Sequence, residues 1–142
     1  MTVAYLLDTN VLSEPIRPRP NPRVMSRLKA HENEMALAAP VWHELCFGCL
    51  RLPHRRRRQL IRHYLDEVVW PSLPILPYDR AAAEWHAAER ARLEALGLTP
   101  AFVDGQIASI AKVNDLVLVT ANLEDYQQFE GLDLADWSAT KS

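Results

Sequence analysis

Glycine is scarce in this chain, at 4 of 142 residues. No glycine-rich turn follows an apolar run, which disfavours P-loop and dinucleotide-binding enzymes, whose phosphate-cradling loops need several glycines. Cysteine is scarcer still. Cys46 and Cys49 are the only two, too few for a disulfide scaffold. Their C-x-x-C spacing lies inside an expected helix with no second cysteine pair for zinc, so two small buried thiols are the expectation. No apolar run is long enough to cross a bilayer, and the N-terminus lacks the basic-then-apolar order of a secretion signal. These absences point to a cytoplasmic protein with no membrane partner. Net charge is only -2, so overall charge makes no case for nucleic acid or membrane.

What is present is ordinary for a globular chain: 49% hydrophobic and 24% charged residues. The length suits one domain over residues 1–142. Apolar runs at Val3–Leu7, Met35–Ala38 and Leu116–Val119 read as buried strands. Leu73, Ile75 and Leu76, among prolines, read as a short edge strand, and Leu132–Leu134 as a last small one. Helices fill the intervals. Asn21-Pro22 and Asp79 are cap signals, and Thr99-Pro100 is a third start. Pro40 and Pro53 bound one helix, a single helix is expected from His54 to Val69, and Gly97 ends another near Leu96. Pro15, Pro18, Pro20 and Pro22 argue against regular structure before Asn21. The tail from Asp136 reads as frayed, with Trp137 docked. Short strands alternating with helices give an α/β fold with a parallel sheet covered on both faces.

Asp8 ends the first apolar run. A carboxylate at a buried strand end is costly without a partner. Glu44 falls near the start of the helix after the second strand, Asp104 in the first turn of the helix before the Leu116–Val119 strand, and Asn122 and Asp125 just beyond that strand. In a parallel sheet these positions share one edge. Carboxylates gathered there repel one another unless a cation neutralises them. All-oxygen donors on scattered loops suit Mg²⁺ or Mn²⁺ better than zinc, and such an ion supports phosphodiester hydrolysis. The competing account is a set of unrelated surface acids, two of them helix caps.

Four motifs carry a resemblance. They are Leu6-Leu7-Asp8-Thr9-Asn10-Val11-Leu12-Ser13-Glu14, His43-Glu44-Leu45 with Gly48, Val103-Asp104-Gly105-Gln106-Ile107-Ala108, and Val119-Thr120-Ala121-Asn122-Leu123-Glu124-Asp125-Tyr126. Together, in this order, they resemble the PIN-domain ribonucleases, most closely the VapC and FitB-like toxins of type II toxin–antitoxin pairs. The resemblance implies a PIN-like three-layer α/β/α fold with a short central parallel sheet. It implies an Mg²⁺-dependent endoribonuclease, with Mn²⁺ as a substitute. Asp8 and Asp104 would be direct ligands, and Glu44 a ligand or the group orienting the attacking water. Thr9, Asn10 and Thr120 would support the site. Asn122 departs from relatives with aspartate there, and Asp125 matches an acid common in the family. Implied partners are RNA, a VapB-like antitoxin and a second copy of the chain, with DNA reached only through the antitoxin.

Arg55, Arg56, Arg57 and Arg58 are candidate RNA contacts, because arginine pairs bidentately with phosphate. The bland alternative is a solvated helix side, and antitoxin pairing is a third. Four consecutive helical positions cannot share one face. His43 is a weak candidate base, and Arg90 and Arg92 are candidates to approach the site. Two rival readings stand beside the nuclease. One is a degenerate member that binds RNA or antitoxin without cutting. The other is a haloacid-dehalogenase-like phosphatase, which needs a second aspartate where Asn10 stands.

Overall fold

A computed structural model describes residues 2–139. Its centre is a five-stranded, all-parallel sheet in the order β3-β2-β1-β4-β5. The strands are β1 (Tyr5–Leu7), β2 (Met35–Ala38), β3 (Ile75–Leu76), β4 (Val117–Val119) and β5 (Leu134–Ala135). Leu6, Leu7, Ala36, Leu37, Leu118 and Val119 are fully buried, as expected for strands covered on both faces. The α/β parallel architecture read from the sequence is the one observed.

The helices are α1 (Thr9–Leu12), α2 (Pro22–Ala30), α3 (Ala39–Leu50), α4 (Arg55–Tyr64), α5 (Trp70–Ser72), α6 (Arg80–Ala95) and α7 (Phe102–Val113). Asn21 caps α2 through the Arg23 and Val24 N–H groups, and Asp79 caps α6 through that of Ala82. Gly97 follows α6 with φ +78°, while Leu98 N–H reaches the Leu93 carbonyl and Gly97 N–H that of Glu94. That is a Schellman ending, which favours glycine at this position.

Several boundaries differ from the sequence reading. α7 starts two residues after Pro100, with Ala101 at its cap and no side-chain capping bond. The segment expected as one helix to Val69 changes at Leu65 into a π turn, Leu65–Val69, and then continues through α5. The wide turn comes just before Pro71, whose ring would clash with the carbonyl four residues earlier in a regular helix. Glu14–Ile16 forms a 3₁₀ turn where prolines argued against regular structure; Pro15 sits at its start, where a missing N–H costs nothing. β5 starts two residues later than expected and ends one later, at Ala135. Trp137 is 3% exposed and packs against Tyr5 and His31, so the tail is docked there; residues 140–142 lie outside the described residues.

The strand order matters for function. From β1 the chain moves outward through β2 to β3, then returns to place β4 on the other side of β1. Right-handed crossovers put the two sets of connecting helices on opposite faces. The chain therefore leaves β1 and β4 in opposite directions, which opens a crevice at their carboxyl ends, where ligands of open α/β sheets bind.

Candidate active site at the β1–β4 switch point

Leu7 pairs with Val119 across β1 and β4, so Asp8 and Thr120, the next residues, emerge side by side. Asp8 is 7% exposed and Thr120 fully buried. Asp8 also caps α1: its Oδ1 accepts the Thr9 N–H at 2.9 Å. Its Oδ2 accepts the Thr120 hydroxyl at 2.9 Å and the Tyr126 hydroxyl at 3.2 Å, with the Asn10 amide at 3.5 Å. These hydrogen bonds offset the cost of burying the carboxylate. Oδ1 accepts only one bond and keeps a lone pair.

Asn10 and Thr120 work as a clasp. Asn10 accepts the Ala121 N–H at 3.1 Å and donates toward Thr120 at 3.4 Å, while the Thr120 oxygen accepts the Asn122 N–H at 3.0 Å. The loops after β1 and β4 are thereby tied together. Thr9 contributes its backbone N–H to Asp8; no hydrogen bond from its hydroxyl appears among the described contacts.

An open cleft of about 360 Å³ lies above this clasp, lined by Asp8, Asn10, Arg17, Glu44, Asp104, Asn122 and Asp125 among others. The expected acids thus share one cleft. Asp104 is partly buried and Glu44 exposed. The Asp104 carboxyl is pushed up to about 6, by burial first and then by the charges of Asp125, Asp8 and Glu44, while the Tyr126 hydroxyl pulls it back. Tyr126 is 1% exposed, and its phenol is raised far above the ordinary tyrosine value by burial and these carboxylates. It is a permanent neutral donor.

Among the described residues, no three acids, histidines or cysteines are close enough to form a ready-made cage for an ion. The donor set still fits a hard divalent cation that keeps much of its water and uses one or two carboxylates. The electrostatics agree, because Asp104 carries an uncompensated repulsion that a cation removes.

Other candidates lie elsewhere. His43 is exposed and stacks on Phe47, outside the cleft lining. Arg92 pairs with Glu89, and Arg90 lies over the Phe102 ring; neither lines the cleft. Cys46 and Cys49 are free thiols, and Cys49 donates to the Arg58 carbonyl. Of the arginine block, Arg57 reaches the Ile16 carbonyl at 2.7 Å and Arg58 that of Leu52 at 3.4 Å. Arg55 and Arg56 are exposed.

Sequence reasoning gave no role to Tyr126, Arg17 or Gly105. A Cβ on Gly105 would lie 2.1 Å from Nε2 of His86. The glycine next to Asp104 is therefore needed by the close approach of α6 and α7. Buried His86 is held by the Tyr78 hydroxyl at 2.8 Å.

The PIN domain model matches residues 5–130 of the chain. The chain belongs to the PIN-domain family. Within it, the chain is 35% identical to Toxin FitB of Neisseria gonorrhoeae over 133 residues, covering 92% of this chain and 94% of that protein. It is 30% identical to a VapC ribonuclease of Sinorhizobium fredii, covering 91% and 94%. The crystal structure of FitAcB from Neisseria gonorrhoeae superposes with a TM-score of 0.88 at 30% identity, covering 96% of this chain and 99% of that one. The chain is thus a VapC/FitB-like PIN domain, and the haloacid-dehalogenase-like alternative falls.

Proposed function

We propose that this PIN domain is a metal-dependent endoribonuclease acting as the toxin of a type II toxin–antitoxin pair. The observation that carries the reading is Asp104, lifted to about 6 by burial first and then by three neighbouring carboxylates, in the same cleft as the clamped Asp8. Kinship with a toxin and a ribonuclease supports it.

Asp8 and Asp104 would hold Mg²⁺ or Mn²⁺, with Glu44 completing the acidic set; when bound there, the ion activates water and shields phosphate charge. The protein's own part is positioning. Thr120, Tyr126 and Asn10 hold Asp8 in one rotamer, leaving Oδ1 the freer oxygen. Exposed Glu44 is free to orient the attacking water and accept its proton. That water would form a new bond to phosphorus as the bond to the leaving ribose oxygen breaks, and the ribose oxygen would take a proton from solvent. Asn122 supplies an amide where a carboxylate would add charge, and Asp125 acts through water. These assignments favour one tightly held ion, with a second joining only with substrate.

In this reading the chain works as a homodimer. A small VapB-like antitoxin blocks the cleft and carries the DNA-binding domain.

The test is cleavage of bulk RNA by purified protein, in Mg²⁺ and in EDTA, beside Asp8→Asn. Cleavage that needs Mg²⁺ and falls at least a hundredfold in the variant supports the nuclease. Equal residual activity in both proteins sinks it, and RNA binding without cleavage favours a degenerate, non-cutting member.

A further inference from the structure

The cleft is acidic, yet a nuclease must hold a polyanion there. Among the described residues, Arg17 is the one cation in its lining. It sits at the end of the 3₁₀ turn Glu14–Ile16, within a segment stiffened by Pro15, Pro18 and Pro20. Its Nη1 donates to Glu14 at 2.6 Å and its Nη2 to the Asn10 carbonyl at 3.3 Å. Glu14 is only 5% exposed and is itself fixed by the Asn21 N–H. The guanidinium is therefore anchored from behind while 48% of the side chain remains exposed. An arginine has five N–H donors, and these two bonds use two.

The arginine block meets this point from the other side. Arg57 donates to the carbonyl of Ile16, the residue before Arg17. Two turns along α4 on the same face, Tyr64 donates to the Leu12 carbonyl at 2.7 Å. These two bonds lash α4 to the segment leading away from Asp8, and hold the Arg57 guanidinium against the residue that precedes Arg17.

We propose that Arg17 and Arg57 form a phosphate-binding rim that holds the RNA backbone beside the carboxylates, Arg17 at the phosphate nearest the acids and Arg57 at the next. This rests on the ribonuclease reading. Preorganised guanidinium groups are strong phosphate donors. They also offset the repulsion that the acids exert on the substrate. RNA is favoured over an acidic antitoxin segment because phosphate oxygens accept bidentately from a guanidinium, and the proposed reaction itself brings a phosphate beside Asp8, Glu44, Asp104 and Asp125.

The test is binding of a fluorescent single-stranded RNA 12-mer by the full chain carrying Asp104→Asn, which removes turnover. Affinity is followed from low to high NaCl, with Arg17→Gln, Arg57→Gln and Arg80→Gln added in turn. Arg80 is an exposed arginine on α6 paired with Glu84, and its variant controls for net charge. Loss of one phosphate contact lowers the salt slope by about 0.7 on single strands. The expected result is that decrease for Arg17→Gln and for Arg57→Gln, and none for Arg80→Gln. Unchanged slopes in the first two, or equal decreases in all three, overturn the rim. Arg57→Gln gives up a single surface bond, so it reports even where Arg17→Gln fails to fold. Wild-type protein that cleaves RNA while these slopes stay level sinks the rim and leaves the nuclease standing. Slopes that fall in a protein that never cleaves do the reverse.

Discussion

The Tyr126 hydroxyl donates to Asp8 Oδ2 at 3.2 Å, across 118 residues of sequence, with both groups buried. This bond links the end of the 3₁₀ turn Leu123–Asp125, which follows β4, to the carboxylate at the end of β1. Its donor is a phenol that cannot ionise at working pH, so it tolerates the neighbouring acids without adding charge. Tyr126→Phe keeps the ring and deletes the donor. Hydrogen bonds to charged groups contribute about 1.5–3 kcal/mol, and the remaining Thr120 donor places the loss near the lower end. Urea unfolding at neutral pH should show a decrease of about 1.5 kcal/mol without Mn²⁺. Stabilisation by Mn²⁺ should also shrink, because Asp8 is less firmly oriented. A variant with wild-type stability in both conditions would mean that the bond has no energetic role.

Asp104 makes the metal-free protein pH-sensitive in a defined direction. Its carboxyl titrates near 6 in the fold, above its ordinary value of 3.8. Between those values the folded state binds more protons than the unfolded one. This group's stabilisation is therefore full below about 3.8 and is lost as pH rises through 6. Subtracting the melting curve of Asp104→Asn isolates the contribution, which should decline from pH 4 to 7. A divalent ion needs the ionised form, so the shift in Tm caused by Mn²⁺ should grow over pH 5 to 7. An Mn²⁺ shift independent of pH over that range would place the ion elsewhere.

Gly105→Ala sets two effects against each other. Alanine in a helix interior is favoured over glycine by about 1 kcal/mol. The new Cβ, however, would lie 2.1 Å from His86 Nε2, and His86 is buried and held by Tyr78. Overpacking of this kind costs about 1–3 kcal/mol, so the clash should win and Tm should fall. Gly105→Ala with His86→Ala should regain part of the loss. A stabilised single variant would show that α6 and α7 separate easily.

The legible parts of the sequence were those where one residue type does one physical job. Uninterrupted apolar runs marked β1, β2 and β4, Asn21 and Asp79 marked helix starts, and Asp8 was conspicuous as a charge at a buried strand end. The expected acids share the cleft because parallel strands put their carboxyl ends on one edge. What escaped depends on distant partners. Tyr126 reads locally as a core aromatic, and only the fold carries its hydroxyl to Asp8. Arg17 reads as a charge in a proline-rich loop, and Gly105 as a weak spot in a helix until His86 is placed opposite it. The α7 start was misjudged because Thr99-Pro100 is a sound local cap signal, yet the helix begins at Phe102. Of four neighbouring arginines, only the packing of α4 singles out Arg57.

Glu89 and Arg92 support the segment that carries Tyr126. The Glu89 carboxylate is 8% exposed and accepts two bonds from Arg92, at 2.7 and 3.0 Å, and one from the Glu130 N–H at 2.7 Å. Arg92 also donates to the Gln128 carbonyl at 2.9 Å. α6 is thereby bound to residues 128–130, just beyond Tyr126. The Arg92 hydrogen bonds hold the Glu89 carboxyl below its ordinary value, against the opposing effect of burial, and the Glu130 N–H assists. A lowered folded-state value contributes stability that is present above the ordinary value of 4.5 and is lost as pH falls through the folded one. Glu89→Gln keeps the shape but weakens three charge-assisted bonds. Its cost at pH 7 should be about 2 kcal/mol and should shrink as pH falls through the lowered folded-state value, where the wild-type carboxyl also takes up its proton. Because the anchored loop also positions Tyr126, Mn²⁺ stabilisation should fall with it. A stability deficit that stays constant as pH falls until the wild-type carboxyl is protonated would assign the loss to packing and remove the ion pair from the account.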